Sequence, residues 1–191
     1  MKNLRNTIKV GRNLIGGTFP PYVIAEAGLN HNGDITLAEK LIKVASESGA
    51  DAIKFQTFKA ETLVSKNAPK ANYQKKNVKK ISHFQMIKKL EMSYDMHVKL
   101  INHCKKRKIK FLSSPFCIDS FNLLRKFKLD FIKIPSGEIT NLPFLKHIRK
   151  FKNNIILSTG MAKLSEIRDA IKILKNKKRK IILLHCNTEY P

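Results

Sequence analysis

Two lysines stand inside apolar stretches of the sequence, where a charged side chain is unusual. Lys54 lies in Ala-Ile-Lys-Phe-Gln and Lys133 lies in Phe-Ile-Lys-Ile-Pro. A buried ammonium group is costly unless it has a partner. A neighbouring glutamate, a lowered pKa that suits Schiff-base chemistry, or an anionic ligand would each make it tolerable. We favour the anionic ligand and keep a structural ion pair and a Schiff base as the alternatives.

Hydroxyl and carboxylate side chains accompany the two lysines. Ser114, Ser136 and Ser158 stand at the ends of apolar stretches. Hydroxyl and ammonium groups together bind phosphate and carboxylate well, which supports the anionic ligand. Glu26 and Glu138 occupy comparable positions and could serve as the glutamate partners.

The sequence predicts six β-strands separated by helices. The strands are predicted over residues 22–27, 52–58, 110–116, 131–135, 155–159 and 181–186. Their nearly continuous hydrophobicity is typical of a parallel sheet that is buried on both faces. Helices are predicted over 36–48, 84–90, 93–106, 141–151 and around 167–174. The first is expected to begin with a capping box of Thr36 and Glu39 and to bury Leu37, Leu41, Val44, Ala45 and Ser48.

The polar residues lie late in each of these strands or just beyond them. Gln56 shares a face with Lys54, because side chains alternate along a strand. In a (β/α)8 TIM barrel such positions converge on the carboxyl-terminal face, where active sites are built. A doubly wound sheet would instead concentrate function at one switch point, and no glycine-rich nucleotide-binding loop follows any strand. The sequence therefore predicts an α/β fold of the TIM-barrel kind, with about six of the eight βα units present.

A hairpin is predicted before the first of these strands. Thr7–Val10 and Leu14–Ile15 flank the turn-forming Gly11-Arg12-Asn13. We expect this N-terminal β-hairpin to plug the bottom of the barrel.

The histidines and cysteines are ambiguous taken one at a time. His31 stands in Asn-His-Asn-Gly, which predicts a tight turn in which it fixes the loop. His185 and Cys186 form a lone pair, which is more typical of packing than of a metal site. The three cysteines have no CxxC spacing and indicate idle thiols in a reducing cytoplasm.

The bulk composition excludes several classes of protein. The 191 residues, 42% of them hydrophobic, suffice for one domain with its own core. The sequence holds no apolar run of about 18 residues and no signal-like segment, so we expect no membrane span and a cytoplasmic protein. The net charge of +24 invites a nucleic-acid hypothesis, but the basic residues are 31 Lys and only 7 Arg, spread along the chain. Arg is the better residue for phosphate and base recognition, so we expect no nucleic-acid partner.

Six collinear motifs resemble the N-acetylneuraminate (sialic acid) synthase family, which includes legionaminic and pseudaminic acid synthases. The motifs begin at Ile24, Ile53, Ser113, Lys133, Ile156 and Leu184, and read IAEAGLNHNG, IKFQTF, SSPF, KIPSGE, ILSTGM and LHCNTEYP. The resemblance implies a (β/α)8 barrel followed by an antifreeze-like domain, a homodimer, and a divalent Mn²⁺ or Mg²⁺ ion. It also implies a reaction in which phosphoenolpyruvate condenses with an N-acetylated amino sugar, N-acetylmannosamine or a related hexosamine, to give a nonulosonic acid and phosphate.

The resemblance also implies roles for individual residues. Glu26 and Glu138 would be catalytic, and Gln56 and Tyr190 would contact the sugar. The phosphoenolpyruvate ligands would be Lys54, Ser114, Lys133, Ser136 and Ser158. Thr188 departs from the asparagine common in neuraminate enzymes, which leaves the choice of sugar open.

By the same resemblance, residues 1–191 would form the N-terminal portion of the barrel. The metal ligands, the barrel end and the antifreeze-like domain would lie beyond Pro191, so that no metal ligand is expected in this chain. We therefore expect the 191-residue chain alone to be catalytically silent. An inactive truncated fragment that binds phosphoenolpyruvate or nothing, and a Schiff-base pyruvate aldolase, are the alternatives to an active synthase.

Overall fold

The computed structural model describes residues 7–10, 13–69, 81–177 and 179–188. A short antiparallel hairpin of β1 (Ile8–Val10) and β2 (Asn13–Ile15) comes first. The parallel strands that follow are β3 (Ile24–Gly28), β4 (Ala52–Thr57), β5 (Lys110–Pro115), β6 (Phe131–Ile134), β7 (Asn154–Ser158) and β8 (Ile181–Leu184).

The parallel strands lie in the order of the chain. One ladder joins β3, β4 and β5, and a second joins β6, β7 and β8. β5 and β6 contact one another although no ladder joins them. The prediction of an α/β fold with parallel strands in chain order is therefore confirmed.

Helices connect the strands. They are α1 (Ile35–Glu47), α2 (Ala60–Leu63), α3 (His83–Lys89), α4 (Tyr94–Lys106), α5 (Ile118–Lys126), α6 (Leu142–Arg149) and α7 (Leu164–Leu174), with a 3₁₀ turn at Ser136–Glu138. Ser93 and Asn141 cap α4 and α6 by accepting backbone N–H bonds, as the sequence predicts.

The parallel strands pack on two different faces, although β8 is only partly buried on both. The outer face packs against the helices and includes Ile53, Phe55, Ile132, Ile134 and Leu157. The inner face carries Ile24, Ala52, Leu112, Phe131, Ile156 and Ile182, which pack against each other and not against helices. The inner face therefore carries a second apolar core, lined by the strands.

The predicted hairpin covers this inner face. Val10 is buried against the inner-face cluster, and Ile8 and Ile15 pack beside it. Asp51, just before β4, accepts hydrogen bonds from the Asn13 side chain and the Val23 backbone N–H. The hairpin therefore closes the amino-terminal end of the inner face; Gly11 and Arg12 of its turn lie outside the described residues.

Helix α1 differs from its prediction at its start and on its buried face. Asp34, and not Thr36, is the cap, because its carboxylate accepts the N–H groups of Thr36 and Leu37. The buried residues are Ala38, Ile42 and Ala45, whereas Leu37 and Val44 are exposed. Ala45 and the partly buried Leu41 lie on the predicted face, whereas Ala38 and Ile42 were not predicted to be buried and Ser48 is exposed.

Helix α5 was not predicted from the sequence. Its cap is the Cys117 thiol, which accepts the N–H of Ser120, and cysteine is not a usual capping residue. Phe121 and Leu124 bury its apolar side.

Arg179 binds the ends of three elements together. Its guanidinium donates to the carbonyl oxygens of Asn153, Leu174, Ile148 and Phe151 at 2.5–2.9 Å. The side chain is buried, and none of the ion pairs among the described residues involves it. Arg179 thus satisfies carbonyls at the ends of α6 and α7 that the helices leave free.

We predict that Arg179→Met lowers the free energy of unfolding by about 3 kcal/mol, because several buried carbonyls lose a charged donor. Urea unfolding followed by circular dichroism measures the change. Arg168→Met, on the exposed side of α7, is the matched control and should change the free energy little. Equal stability of the two variants would contradict the role given to Arg179.

Candidate active site

The candidate site begins where the inner face changes from apolar to polar. Five strands each carry a polar residue two positions after their apolar inner-face residue: Glu26, Lys54, Ser114, Lys133 and Ser158. Gln56 lies two positions after Lys54 on β4. Since side chains repeat on one face every second residue, these six groups share the inner face at the carboxyl ends of the strands.

Glu26 and Lys54 form an ion pair across neighbouring strands. They are register partners in the ladder of β3 and β4, and Lys54 Nζ lies 2.5 Å from Glu26 Oε2. The lysine side chain is 13% exposed and the glutamate side chain 54%. The glutamate thus neutralises the lysine while its carboxylate stays accessible to a ligand.

Lys133 is the more isolated of the two lysines. It is 6% exposed, and its Nζ donates to the carbonyl oxygen of Ile134 at 3.3 Å. Burial and the nearby Lys54 ammonium lower the pKa of Lys133 to about 8, against the opposing effect of Cys186 and Glu26. A buried cation with so little compensation favours an incoming anion.

Hydroxyl, thiol and backbone groups from three strand ends meet beside Lys133. Ser136 Oγ accepts the Gly160 N–H at 3.0 Å and lies 3.7 Å from Cys186 Sγ. Partial burial acts to raise the pKa of Cys186, but hydrogen bonds with Ser158, Thr159, Ser136 and Gly160 outweigh it and lower the pKa. This thiol cluster, formed by Ser136, Ser158, Gly160 and Cys186, therefore favours negative charge.

Gly160 permits the close approach of these strand ends. A Cβ atom there would lie 2.6 Å from Thr188 Cγ2, 2.9 Å from Ser136 Oγ and 3.2 Å from the Cys186 carbonyl oxygen. Any larger residue would push apart the loops that follow β6, β7 and β8.

Ser114 presents an unused hydroxyl to the same face. It is the register partner of Gln56 in the ladder of β4 and β5. Its Oγ is buried and has no hydrogen-bond partner among the described residues. A buried hydroxyl without a partner is costly, so this atom is suited to a bound ligand.

Of the other residues singled out from the sequence, Glu138, His31 and His185 are described by the structure. Glu138 is half-buried and accepts a 2.6 Å hydrogen bond from the Asn141 side chain. Tyr190 lies outside the described residues. His31 is buried, and its Nδ1 accepts the Gly33 N–H at 3.0 Å, in agreement with the loop-fixing role. His185 is exposed.

Two contributors to the thiol cluster were not recognised from the sequence. Gly160 contributes a backbone N–H, and Cys186 contributes a thiol that the sequence suggested was packing. The available signal was a glycine directly after Ser158-Thr159 at a strand end, because glycine there allows close contact between loops.

The described residues do not provide a metal centre. No group of three or more His, Cys, Asp or Glu side chains lies close enough to hold a metal ion within residues 7–10, 13–69, 81–177 and 179–188. A divalent ion at this site would need donors from elsewhere. Within the same ranges, none of the helices has the length and apolarity that a membrane span requires.

The arrangement is suited to a small ligand with more than one negative charge. Two ammonium groups, three hydroxyls and a backbone N–H are gathered at the carboxyl ends of parallel strands. Ammonium and hydroxyl donors of this kind bind phosphate and carboxylate groups. The fold and the site together define an α/β protein with a cluster of anion-binding side-chain types at its strand ends.

Comparison with known proteins gives the family. The NeuB family model matches residues 41–191. The chain is 55% identical to the N,N'-diacetyllegionaminic acid synthase of Campylobacter jejuni over 173 residues, covering 88% of this chain and 52% of that protein. It is 45% identical to the synthase of the same name from Legionella pneumophila, covering 92% and 51%. The chain belongs to the NeuB family.

A solved structure has the same fold. The N-acetylneuraminic acid synthetase from Leptospira borgpetersenii, in complex with citrate, superposes with a TM-score of 0.84 at 34% identity. The superposition covers 97% of this chain and 60% of that one. This chain spans about half the length of the curated relatives that it matches.

We predict that Cys186 reacts with iodoacetamide with an apparent pKa below that of an ordinary cysteine thiol, because its thiolate is stabilised by the surrounding donors. Ser136→Ala combined with Ser158→Ala should move the pKa towards that of a free thiol. Mass spectrometry of alkylated peptides across a pH series measures both rates. Cys104 is the internal control, because burial raises its pKa to about 12. An unchanged pH profile in the double variant would contradict the stabilisation.

Proposed function

We propose that this chain belongs to an enzyme that condenses phosphoenolpyruvate with an N-acetylated amino sugar, giving a nonulosonic acid and phosphate. The observation that carries the proposal is the pairing of Lys54 and Lys133 with Ser114 and Ser158 on one inner face, with Ser136 in the turn just beyond β6. Membership of the NeuB family supports it. The enzyme would be a transferase that forms a carbon–carbon bond.

We also propose that the parallel strands form part of a (β/α)8 barrel. Their order along the chain and the apolar inner face support this assignment, as does the hairpin at the amino-terminal end. The polar groups would then line the carboxyl-terminal mouth, where barrels of this kind place their active sites.

Phosphoenolpyruvate carries a phosphate and a carboxylate, and the site offers donors for both. Lys54 and Lys133 would balance the charge, while Ser136, Ser158 and Ser114 would donate to its oxygens. The Ser114 hydroxyl, which has no partner among the described residues, would gain one on binding. The anionic ligand would balance the charge of Lys133, whose ammonium group otherwise donates only to the Ile134 carbonyl oxygen.

The proposed reaction has two steps. Carbon 3 of phosphoenolpyruvate attacks the sugar aldehyde, so that the C2–C3 π electrons form the new carbon–carbon bond. Water then adds to carbon 2, and phosphate leaves as its C2–O bond breaks. Glu26, whose carboxylate stays accessible while paired with Lys54, would orient or deprotonate that water.

The second carboxylate would act on the sugar side. Glu138, held by Asn141, ends the 3₁₀ turn that begins at Ser136, and it would donate a proton to the aldehyde oxygen as the new carbon–carbon bond forms. Gln56 and Tyr190 would contact the sugar. N,N'-diacetyllegionaminic acid is the first product to test, since both synthases of that name are close relatives.

Three further properties are proposed from the resemblance alone. They are a divalent Mn²⁺ or Mg²⁺ ion, which would supply a Lewis acid when bound, a homodimer, and a cytoplasmic location. The described residues do not fit the metal as a donor set, so every step assigned above uses protein side chains.

A Schiff-base aldolase is the second candidate, and the surroundings of Lys133 favour it. Burial and Lys54 lower the pKa of Lys133 to about 8, which leaves part of the amine neutral and nucleophilic near that pH. The amine would attack a pyruvate carbonyl and release water. Borohydride with pyruvate would then leave a stable mass adduct on Lys133, whereas the condensation of phosphoenolpyruvate leaves none.

We predict that Lys133→Met and Lys54→Met each weaken phosphoenolpyruvate binding by about tenfold to 150-fold, because each removes a charge-assisted contact. Isothermal titration calorimetry of the purified chain measures the dissociation constant. Lys110→Met is the matched control, since Lys110 pairs with Asp130 before β6, at the opposite end of the strands. Unchanged affinity in both site variants would remove these lysines from the proposed site.

The same binding should depend on pH through Lys133. A protonated lysine attracts the anion, so affinity should fall as pH rises above about 8, by up to about tenfold per pH unit. Lys133→Met should lose this dependence. Titrations between pH 7 and 9.5 test it, and a slope that survives in the variant would show that another group is responsible.

A further inference from the structure

A chain of three hydrogen bonds lies behind the candidate site, on the outer face. Thr57 Oγ1 lies 2.7 Å from Ser113 Oγ and 2.9 Å from His97 Nε2. His97 Nδ1 lies 2.7 Å from the carbonyl oxygen of Ser93, the residue that caps α4. Ser113, Thr57 and His97 are all buried, so water cannot replace these contacts.

The direction of this chain is fixed by its last acceptor. A carbonyl oxygen only accepts, so His97 Nδ1 must carry a hydrogen. In the neutral ring Nε2 is then an acceptor, and it receives the Thr57 hydroxyl hydrogen. Thr57 Oγ1 in turn accepts from Ser113, so the bonds run from β5 through β4 to the start of α4.

The surroundings of His97 favour the neutral ring. Its ring lies against Phe111 and Phe127. Burial lowers its pKa, opposed by the Ser93 carbonyl and assisted by His31 and Lys59, the charged or titratable groups that act on it. A second hydrogen on Nε2 would reverse the direction of these bonds: Thr57 Oγ1 would accept from the ring, and its hydroxyl would donate to Ser113 Oγ.

The three hydrogen bonds fix the ends of β4 and β5, which carry two candidate site residues. Gln56 precedes Thr57 and Ser114 follows Ser113, and Gln56 and Ser114 are register partners. Their side chains point to the inner face, because successive residues alternate. Ser114 Oγ has no hydrogen-bond partner of its own among the described residues, so its position depends on its backbone.

We propose that His97 is a positioning residue: through Thr57 and Ser113 it fixes the ends of β4 and β5, and thereby Gln56 and Ser114. Its effect on ligand binding rests on the proposed function, whereas its effect on the strand ends does not. Two measurements therefore test it, amide hydrogen exchange without ligand and the affinity for phosphoenolpyruvate.

The variants separate the two ring nitrogens. His97→Gln can place an acceptor near Nε2 and keep the Thr57 bond, while His97→Asn can reach only the Ser93 side. Thr57→Val removes the central hydroxyl at nearly constant shape, and Ser113→Ala serves if that variant does not fold. Asn122→Ala is the matched control, because it removes the 2.9 Å His147–Asn122 contact behind the other ladder.

We expect Thr57→Val and His97→Asn to raise exchange about tenfold in peptides covering β4 and β5, but not in β6 and β7, and to weaken phosphoenolpyruvate binding about tenfold. His97→Gln should stay close to the wild type in both. Asn122→Ala should leave both β4–β5 exchange and affinity unchanged.

Exchange in Thr57→Val that matches the wild type, or that rises equally in both ladders, would overturn the positioning role. So would equal behaviour of His97→Gln and His97→Asn. If the wild type fails to bind phosphoenolpyruvate, the proposed function falls, and exchange alone decides the role of His97.

Discussion

The electrostatic cost of two lysines on one inner face is the constraint on which the site depends. Lys54 meets it with Glu26 as a partner, whereas Lys133 has only a carbonyl oxygen and a lowered pKa. Desolvation and like-charge repulsion both disfavour the charged form of Lys133, and an anion that bridges the two ammonium groups would relieve both. The fold thus tolerates an electrostatic cost at Lys133 that a bound anion would remove, and groups with perturbed pKa values of this kind cluster at functional sites.

The rest of the structure holds this polar layer in place. Apolar side chains and the hairpin fill the inner face below it, and helices cover the outer face. Only the carboxyl ends of the strands are left for polar groups, so alternation along each strand delivers one or two of them to the same layer. The loops then refine it: Gly160 lets three strand ends meet, and the bonds through Thr57 and His97 join β4 and β5 to α4.

Much of this arrangement follows from the sequence, for identifiable reasons. The continuous apolar strands and the Ser93 and Asn141 caps are local patterns with one physical solution, whereas Glu26 was one of two glutamates considered as a partner for the lysines. The buried face of α1 was predicted only in part: Ala45 and Leu41 lie on it, but the small Ala38 gives little hydrophobic signal, and the face is rotated towards Ala38 and Ile42. Helix α5 and the thiol cluster were missed because Cys117 and Cys186 act as hydrogen-bonding groups, which their side-chain type does not indicate. Contacts between loops that are far apart in the sequence leave no periodic pattern from which they could be predicted.

The central claim is that Lys133 is a poorly compensated cation whose charge a dianionic ligand stabilises. Proton uptake on binding tests it most directly, by calorimetric titration of phosphoenolpyruvate at pH 8.5 in buffers of different ionisation enthalpy. The account predicts net uptake of up to about three-quarters of a proton in the wild type, because that fraction of Lys133 is neutral at pH 8.5 and binding raises its pKa, and no uptake in Lys133→Met. Binding without proton uptake in the wild type, or equal uptake in both proteins, would contradict it.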